Sequence, residues 1–396
     1  MVEKLVPTLR FLEFNENWEE KSLGEILSRR KEKHKISKDT PLLAFAAGQG
    51  VIDRSERKTN NRDFLTKDSK NKTYLLTEYN DIVYNPSNLK YGAIDRNSHG
   101  KGVISPIYVT FVSNVSPLFM EYIVKSYNFK QKALKYEEGT VIKRQSVHPK
   151  DLVKIKIKIP KTESERIKIG TFLSSIDKKM ELLEKKHDKF QNFKKYLMQQ
   201  IFTQKLRFNF TDEWKKSKLK EICNVQDGTH TTPNYVDEGI PFYSVENLTS
   251  NVPPKFISKE EHEKLIKRCK PKFGDILITR IGTLAKSKVI DWEEEFSIYV
   301  SLALLSSIKI NARFLNYYIQ TDKYQKDFLK KSLLLAVPQK INLKDLNETI
   351  VEYPSSKEQE KIVNVFDSID TKIAHINIEL NNTKNFKRGL LQQMFI

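Results

Sequence analysis

Asn192-Phe193-Lys194-Lys195-Tyr196-Leu197-Met198-Gln199-Gln200-Ile201-Phe202 returns near the other end of the chain as Asn385-Phe386-Lys387-Arg388-Gly389-Leu390-Leu391-Gln392-Gln393-Met394-Phe395, identical at seven of eleven positions. An internal repeat dictates architecture before any local pattern does, because each copy is one folding unit. The period is near 194 residues, about half of the 396-residue chain. Glu163-Ser164-Glu165-Arg166-Ile167 answers Glu358-Gln359-Glu360-Lys361-Ile362, Ser175-Ile176-Asp177 answers Ser368-Ile369-Asp370, and Gln145 to Pro160 answers Gln339 to Pro354. The two copies therefore end alike.

They also begin alike. Trp18 to Ile26 aligns with Trp214 to Ile222, and Leu9-Arg10-Phe11 echoes Leu206-Arg207-Phe208. In the first copy Phe202 runs on into Leu206-Arg207-Phe208, whereas the counterpart of that continuation stands at Leu9, so the repeat reads as circular. Two equal units closed head to tail predict approximate two-fold symmetry, with the N- and C-termini near each other.

Each copy carries a helical stripe. Ile169, Leu173, Ile176, Met180, Leu183, His187, Phe190, Lys194, Leu197 and Ile201 alternate at spacings of four and three, and eight of the ten are apolar. Phe366, Ile369, Ile373, Ile376, Leu380, Thr383, Lys387, Leu390 and Met394 form the second stripe. That alternation is a coiled-coil seam. A lone stripe would pack on its own domain; two matched stripes predict an antiparallel pair that buries both. A helix from 163 to 203 would be about 60 Å long and act as a ruler. Lys194 and Lys387 hold equivalent seam positions, either fixing register or snorkelling at frayed ends.

The mixed segments, roughly 18 to 160 and 214 to 354, read as α/β or α+β. Strands are expected at Asp81–Tyr84, Ile104–Val112, Ile155–Ile159 and Asp275–Thr279, with helices at Pro117–Leu134 and Asn311–Leu329. The predicted organisation is 1–160 a first globular domain, 161–205 a central coiled-coil helix, 206–354 a second globular domain and 355–396 a terminal coiled-coil helix. The mixed segments diverge far more than their flanks, which suits one scaffold reading two different things.

Composition narrows the partner. Lys and Arg total 69 against 50 Asp and Glu, a formal charge of +19, which favours a polyanion through long-range attraction and counterion release. Cys223 and Cys269 are the only cysteines, so neither a disulfide framework nor a paired-cysteine zinc site is expected. Met1 to Pro7 lacks the apolar core of a signal peptide, and no stretch approaches the roughly 20 apolar residues that span a bilayer. A reducing cytoplasm is the expected location.

A resemblance then becomes specific. Asp227-Gly228-Thr229-His230-Thr231-Thr232-Pro233, Gly239-Ile240-Pro241-Phe242, Gly274-Asp275-Ile276-Leu277-Ile278-Thr279-Arg280-Ile281-Gly282-Thr283 and Gln339 to Pro354 with Glu358-Gln359-Glu360 resemble a target-recognition domain and its helix in the specificity subunits of Type I restriction-modification systems. The first domain keeps Pro41, Asp81-Ile82, Gln145 and the helix, but lacks the Gly-Thr-His and Gly-Asp forms. The resemblance implies two globular recognition domains in a pseudo-two-fold arrangement, joined by two long antiparallel helices. It implies that each domain reads half of a bipartite double-stranded DNA target in the major groove. The helices would dock two modification (methyltransferase) subunits, and restriction/translocase subunits would join for cleavage. S-adenosylmethionine, ATP and Mg²⁺ would then sit on those partners and none on this chain.

The residues agree that chemistry lies elsewhere. A base-flipping amino-methyltransferase needs a polar-Pro-Pro-aromatic loop and a glycine-rich cofactor strand; Tyr84-Asn85-Pro86-Ser87-Asn88 has one proline and no following aromatic, and Ala46-Ala47-Gly48-Gln49-Gly50 fits a turn. Gly282-Thr283-Leu284-Ala285-Lys286-Ser287 lacks the second glycine of a phosphate-binding loop. Asp291 with Glu293-Glu294-Glu295 reads as a solvated turn rather than a Mg²⁺ site, and His230 has no companion at metal-ligand spacing.

Base readers should be polar side chains on loops, with Arg to guanine and Asn or Gln to adenine the pairings that geometry favours. The candidates are Lys90, Tyr91, Arg96, Asn97, His99, Lys101, Lys143, Arg144 and Gln145 in the first domain. In the second they are Thr229, His230, Thr231, Tyr243, Asn247, Arg280, Thr283, Lys286, Gln339 and Lys340. The competing reading of each is a turn-capping or merely solvated side chain. At the level of the whole chain, the alternatives are a basic duplicated coiled-coil adaptor that binds RNA or protein, and a self-contained DNA-modifying enzyme. Two readers on one face would set half-site centres about 10 bp apart, one helical turn.

Overall fold

A computed structural model describes residues 6–56, 72–138, 146–250 and 252–395. The chain divides into two compact units, one of Met1–Glu184 with Ile378–Ile396, the other of Lys185–Asn377. Each long helix, Glu163–Phe202 and Ser356–Met394, contributes one end to each unit.

The duplication is visible in the sheets. In the first unit four antiparallel strands stand in the order Leu27–Arg30, Val109–Ser113, Ile82–Tyr84, Ile94–Arg96. In the second the order is Asn224–Asp227, Leu302–Ser306, Ile276–Thr279, Ser287–Val289. Antiparallel sheets commonly leave one face to water, but the interior strands of the second unit are covered on both faces and read as continuous apolar runs, Ile276-Leu277-Ile278 and Leu302-Ala303-Leu304-Leu305, all at 0% exposure. A separate two-stranded ribbon closes each scaffold, Glu19–Ser22 with Lys156–Ile159 and Lys215–Lys218 with Ile350–Tyr353.

The outer sheets differ. The first unit has a three-stranded sheet (Lys33–His34, Tyr74–Thr77, Gly102–Ile104) and a hairpin of Leu43–Ala46 with Gly50–Asp53. The second has a four-stranded sheet, Tyr235–Val236, Lys255–Ile257, Ile240–Tyr243 and Ser297–Ile298, whose last pairing is parallel.

Two expected elements are split, each for a local reason. The helix expected over Pro117–Leu134 is Pro117–Lys125 followed by Tyr127–Leu134, because Ser126 is extended (ψ 150°) and its side chain accepts from Phe129 N, capping the second helix. Thr321 does the same between Ala312–Ile319 and Asp322–Lys330. The strand expected over Ile104–Val112 is interrupted by a turn in which Tyr108 N donates to Ser105 O at 3.0 Å.

Within each unit the helix ends pair in antiparallel fashion. Ile169, Leu173 and Ile176 share a core with Leu390 and Met394 in the first; Ile201 shares one with Ile362, Phe366 and Ile369 in the second. The seam lysines are half-buried and form ion pairs. Lys194 Nζ donates to Asp370 Oδ1 and Oδ2 at 2.6 and 2.8 Å and lies 5.1 Å from the Tyr317 ring centroid. Lys387 pairs with Asp177 and lies 5.3 Å from the Tyr122 ring. Tyr317 and Tyr122 each donate a 2.7 Å hydrogen bond to the same aspartate. The circular character of the repeat is also physical: Leu206 N donates to Gln200 O at 3.1 Å in the second unit, and Leu9 N donates to Gln393 O, the equivalent carbonyl, at 2.9 Å in the first.

Candidate nucleic-acid interface

In the second unit the loops that follow the scaffold strands are bonded to one another at a single edge. After the strand Asn224–Asp227, Gly228 lies so close to the neighbouring chain that a Cβ there would sit 2.0 Å from Ile298 O. Thr229 N donates to Ile298 O and Val300 N to Thr229 O, at 3.0 and 2.9 Å. Arg280 N donates to Ser301 O, Ile341 N to Arg280 O and Gly282 N to Gln339 O, at 2.9, 2.9 and 2.8 Å. The segments around residues 229, 281, 300 and 340 thus form one strapped surface.

Its electrostatic centre is Asp227, which is 3% exposed. Its carboxylate receives Arg280 Nη1 at 2.9 Å and Arg268 Nη2 at 2.5 Å, and His230 Nε2 lies 2.8 Å away. A carboxylate buried this deeply requires such compensation, because desolvation penalises the charge. Burial also pulls the Arg280 guanidinium below its ordinary range, with Asp227 opposing the shift. Asp227 and Arg268 were absent from the candidate readers; an acid directly before Gly-Thr-His was the available signal.

The candidates separate into scaffold and surface. Arg280 is 7% exposed and also donates to the carbonyls of Ile341 and Val300, so it braces the loops. Asn247 accepts from Ser244 N and Ser244 Oγ and donates to Val252 O, which makes it a turn cap. Thr229 is half-buried, and its hydroxyl closes a turn on Thr231. Tyr243 is half-buried against Phe296 and Trp292, and burial raises its phenol above the usual range. His230, Thr231, Thr283, Lys286 and Gln339 are exposed on the strapped edge, with Lys340 half-exposed beside them.

In the first unit the same sorting applies. Arg96 is 9% exposed, donating to Glu121 Oε2 at 2.7 Å and Asn80 Oδ1 at 3.0 Å. Asn97 is fully buried; its Oδ1 accepts from His99 N and Gly100 N, and its Nδ2 donates to Gly100 O and Thr77 Oγ1. Asn97 thus has both its amide oxygen and its amide nitrogen bonded inside the fold, and Arg96 is held by Glu121 and Asn80, so burial speaks against the expectation that either reads a base edge. What Asn97 does is hold up the turn that displays His99 and Lys101, both exposed, the latter 3.6 Å from Glu78. Tyr91 is 69% exposed, and Lys90 lies 3.4 Å from Glu137. Lys143, Arg144 and Gln145 fall outside the described residues.

The remaining chemistry-bearing stretches are structural. Tyr84 is fully buried and donates to Val147 O, while Asn85 caps the turn Pro86–Tyr91 by accepting from Ser87 N. Cys223 and Cys269 are free and buried, and burial pushes each thiol up to about 12. Among the described residues no cluster of three or more His, Cys, Asp or Glu is placed to hold a metal ion, and no helix is long and apolar enough to cross a membrane.

Comparison with known proteins supplies the context for these loops. Residues 211–383 match the family profile of the Type I restriction modification DNA specificity domain. The fold of the chain is similar to that of the Type-I restriction-modification system S subunit from M. genitalium, with a TM-score of 0.65 at 18% identity, covering 99% of each chain. It is also similar, with a TM-score of 0.53 at 18% identity over 95% of this chain and 96% of the other, to a chain from work on complex assembly and conformational transition of the type I R-M system.

Proposed function

We propose that this chain, which over residues 211–383 matches the profile of the Type I restriction modification DNA specificity domain, is the DNA-specificity subunit of a Type I complex. It is a non-catalytic reader with two recognition units, each addressing one half of a bipartite duplex target. The organisation is that of two recognition domains, 1–160 and 206–354, and two helical connectors, 161–205 and 355–396. The helices dock two modification subunits that together form a DNA adenine methyltransferase, and restriction/translocase subunits join for cleavage. S-adenosylmethionine, ATP and Mg²⁺ belong to those partners, and the complex works in the cytoplasm.

The observation that carries this reading is the contrast between the two units. The four-stranded scaffold, the ribbon and the seam ion pair recur in both, whereas the outer sheets and reader loops do not. A protein that needed one surface twice would have kept it; two different surfaces on one scaffold suit two different half-sites. In the second unit the readers are His230, Thr231, Thr283, Lys286, Gln339 and Lys340, with Thr229 and Tyr243 behind them. In the first they are Lys90, Tyr91, His99 and Lys101, joined by Lys143, Arg144 and Gln145.

The test begins with a methylation map of DNA from cells expressing the chain with its modification subunits, which yields target and spacer. The purified assembly should then bind a duplex carrying both half-sites about 10³-fold or more tighter than scrambled duplex, with affinity falling steeply as salt rises. Loss of either half-site should abolish the preference. Equal binding to every duplex, or tighter binding to RNA, would instead favour a duplicated coiled-coil adaptor.

A further inference from the structure

The second unit exposes an apolar tip beside its reader loops. Leu333 and Leu334 are 46% and 44% exposed, and Leu335 and Val337 are 100% exposed. The tip is closed at its base by Leu333 N donating to Lys340 O at 2.7 Å, and the adjoining Gln339 carbonyl accepts from Gly282 N at 2.8 Å. One residue beyond that base, Ile341 returns to 0% exposure. The fold therefore anchors both ends of the segment and leaves four large apolar side chains outside. Isolated exposed aliphatics need no explanation, but a contiguous group on a strapped loop marks a contact surface.

Its neighbours identify the contact. The tip grows out of the same strap that carries Gln339, Lys340, Thr283 and Lys286, and exposed Lys330 stands on its N-terminal side. Apolar side chains within a cationic, polar rim suit DNA, where the thymine C5-methyl is the one apolar group that the major groove presents on a base edge. Lysines hold the phosphates, and a leucine or valine between them distinguishes thymine by a methyl contact.

We propose that the Leu333–Val337 tip is a specificity-determining element that packs Leu335 and Val337 against a thymine methyl in the half-site read by the second unit. The proposal rests on the reading of this chain as a bipartite DNA reader. It makes the tip an apolar contributor to recognition, separate from the hydrogen-bonding readers and indifferent to counterion release.

The experiment is a substitution cycle on the full chain assembled with its modification subunits. Each thymine of that half-site is replaced in turn by uracil, against the natural chain and against Leu335→Ser with Val337→Ser. At one thymine, uracil should weaken binding of the natural chain about fivefold and leave the variant unaffected, the signature of a direct contact. The slope of log affinity against log salt should be the same for both proteins, since no phosphate contact is lost. Uracil without effect on the natural chain, or with the same effect on the variant, overturns the proposal. So does a variant that binds DNA normally but fails to assemble with the modification subunits, which would make the tip a protein-docking surface. Failure of the natural chain to prefer the bipartite duplex would sink the DNA-reader assignment itself, a result visible before any uracil is introduced.

Discussion

Lys194 donates to both carboxylate oxygens of Asp370, 176 positions away in the chain, and the same carboxylate accepts the Tyr317 hydroxyl. The arrangement recurs with Lys387, Asp177 and Tyr122. A seam lysine packed over a tyrosine ring and tied to an aspartate accepts only one helix register, because a shift of one turn would bury the ammonium without its partner. Both triads lie at the place where the α/β part of a unit meets its pair of long-helix ends. They tie the long helices to Pro117–Lys125 through Tyr122 in the first unit, and to Ala312–Ile319 through Tyr317 in the second.

Replacing Lys194 by Met should therefore lower stability modestly, by about 1 kcal/mol, since Asp370 is partly solvated and such pairs are screened. Lys387→Met should cost a similar amount. The two triads share no residue, so the double variant should lose nearly the sum. Thermal melts at low and high salt check this: the difference from the natural chain should narrow as salt rises.

Asp227→Asn should be more damaging. It leaves Arg280 buried without its counter-charge and releases Arg268 and His230, a loss of roughly 2–4 kcal/mol from the strapped edge. The expected phenotype is selective. Discrimination at the half-site of the second unit should collapse while discrimination at the other half-site persists, as read by competition with duplexes altered in one half at a time.

Gly228→Ala tests the close approach of the loops. The added Cβ meets backbone atoms of Ile298 and Tyr299 at 2.0 to 2.7 Å, and backbone does not yield as a flexible side chain would. A cost of about 3 kcal/mol and displacement of the Thr229 loop are expected, measured by chemical denaturation. Gly92→Ala, where no atom lies within 4 Å, should cost only the strain of its positive φ of 77°.

The pH dependence of stability should carry a histidine component. His262 is 3% exposed with Nδ1 2.9 Å from Ser297 Oγ, and burial depresses its pKa below the ordinary 6.5, with Glu295 opposing. Below 6.5 the unfolded chain then binds more protons than the folded one. The contribution is fully present above that value and is lost as pH falls toward the folded value. Denaturation midpoints followed from about pH 7.5 to 5 should fall less steeply for His262→Gln than for the natural chain.

Much of the architecture was legible because it is written in one-dimensional order. The stripe from Ile169 to Ile201 marks a helix through its spacing alone, and the structure forms that helix over Glu163–Phe202. Two matched stripes implied a pair, since each alone would leave an apolar face in water. The echo of Leu206-Arg207-Phe208 at Leu9-Arg10-Phe11 anticipated the Leu9–Gln393 bond. Less legible were the breaks at Ser126 and Thr321, where one capping hydroxyl outweighs an otherwise continuous helical pattern.

The sequence by itself determined that there are two like units, which stretches are helical rods and that the surface favours a polyanion, because repetition, periodicity and charge are properties of residue order. Only the tertiary structure decided which polar side chains are held inside the fold. Arg280 and Arg96 look like base readers in the chain, yet Asp227 lies 53 positions from the first and Glu121 lies 25 from the second. Whether a guanidinium is available depends on the charges the fold brings to it, and those come from residues the local pattern never places beside it.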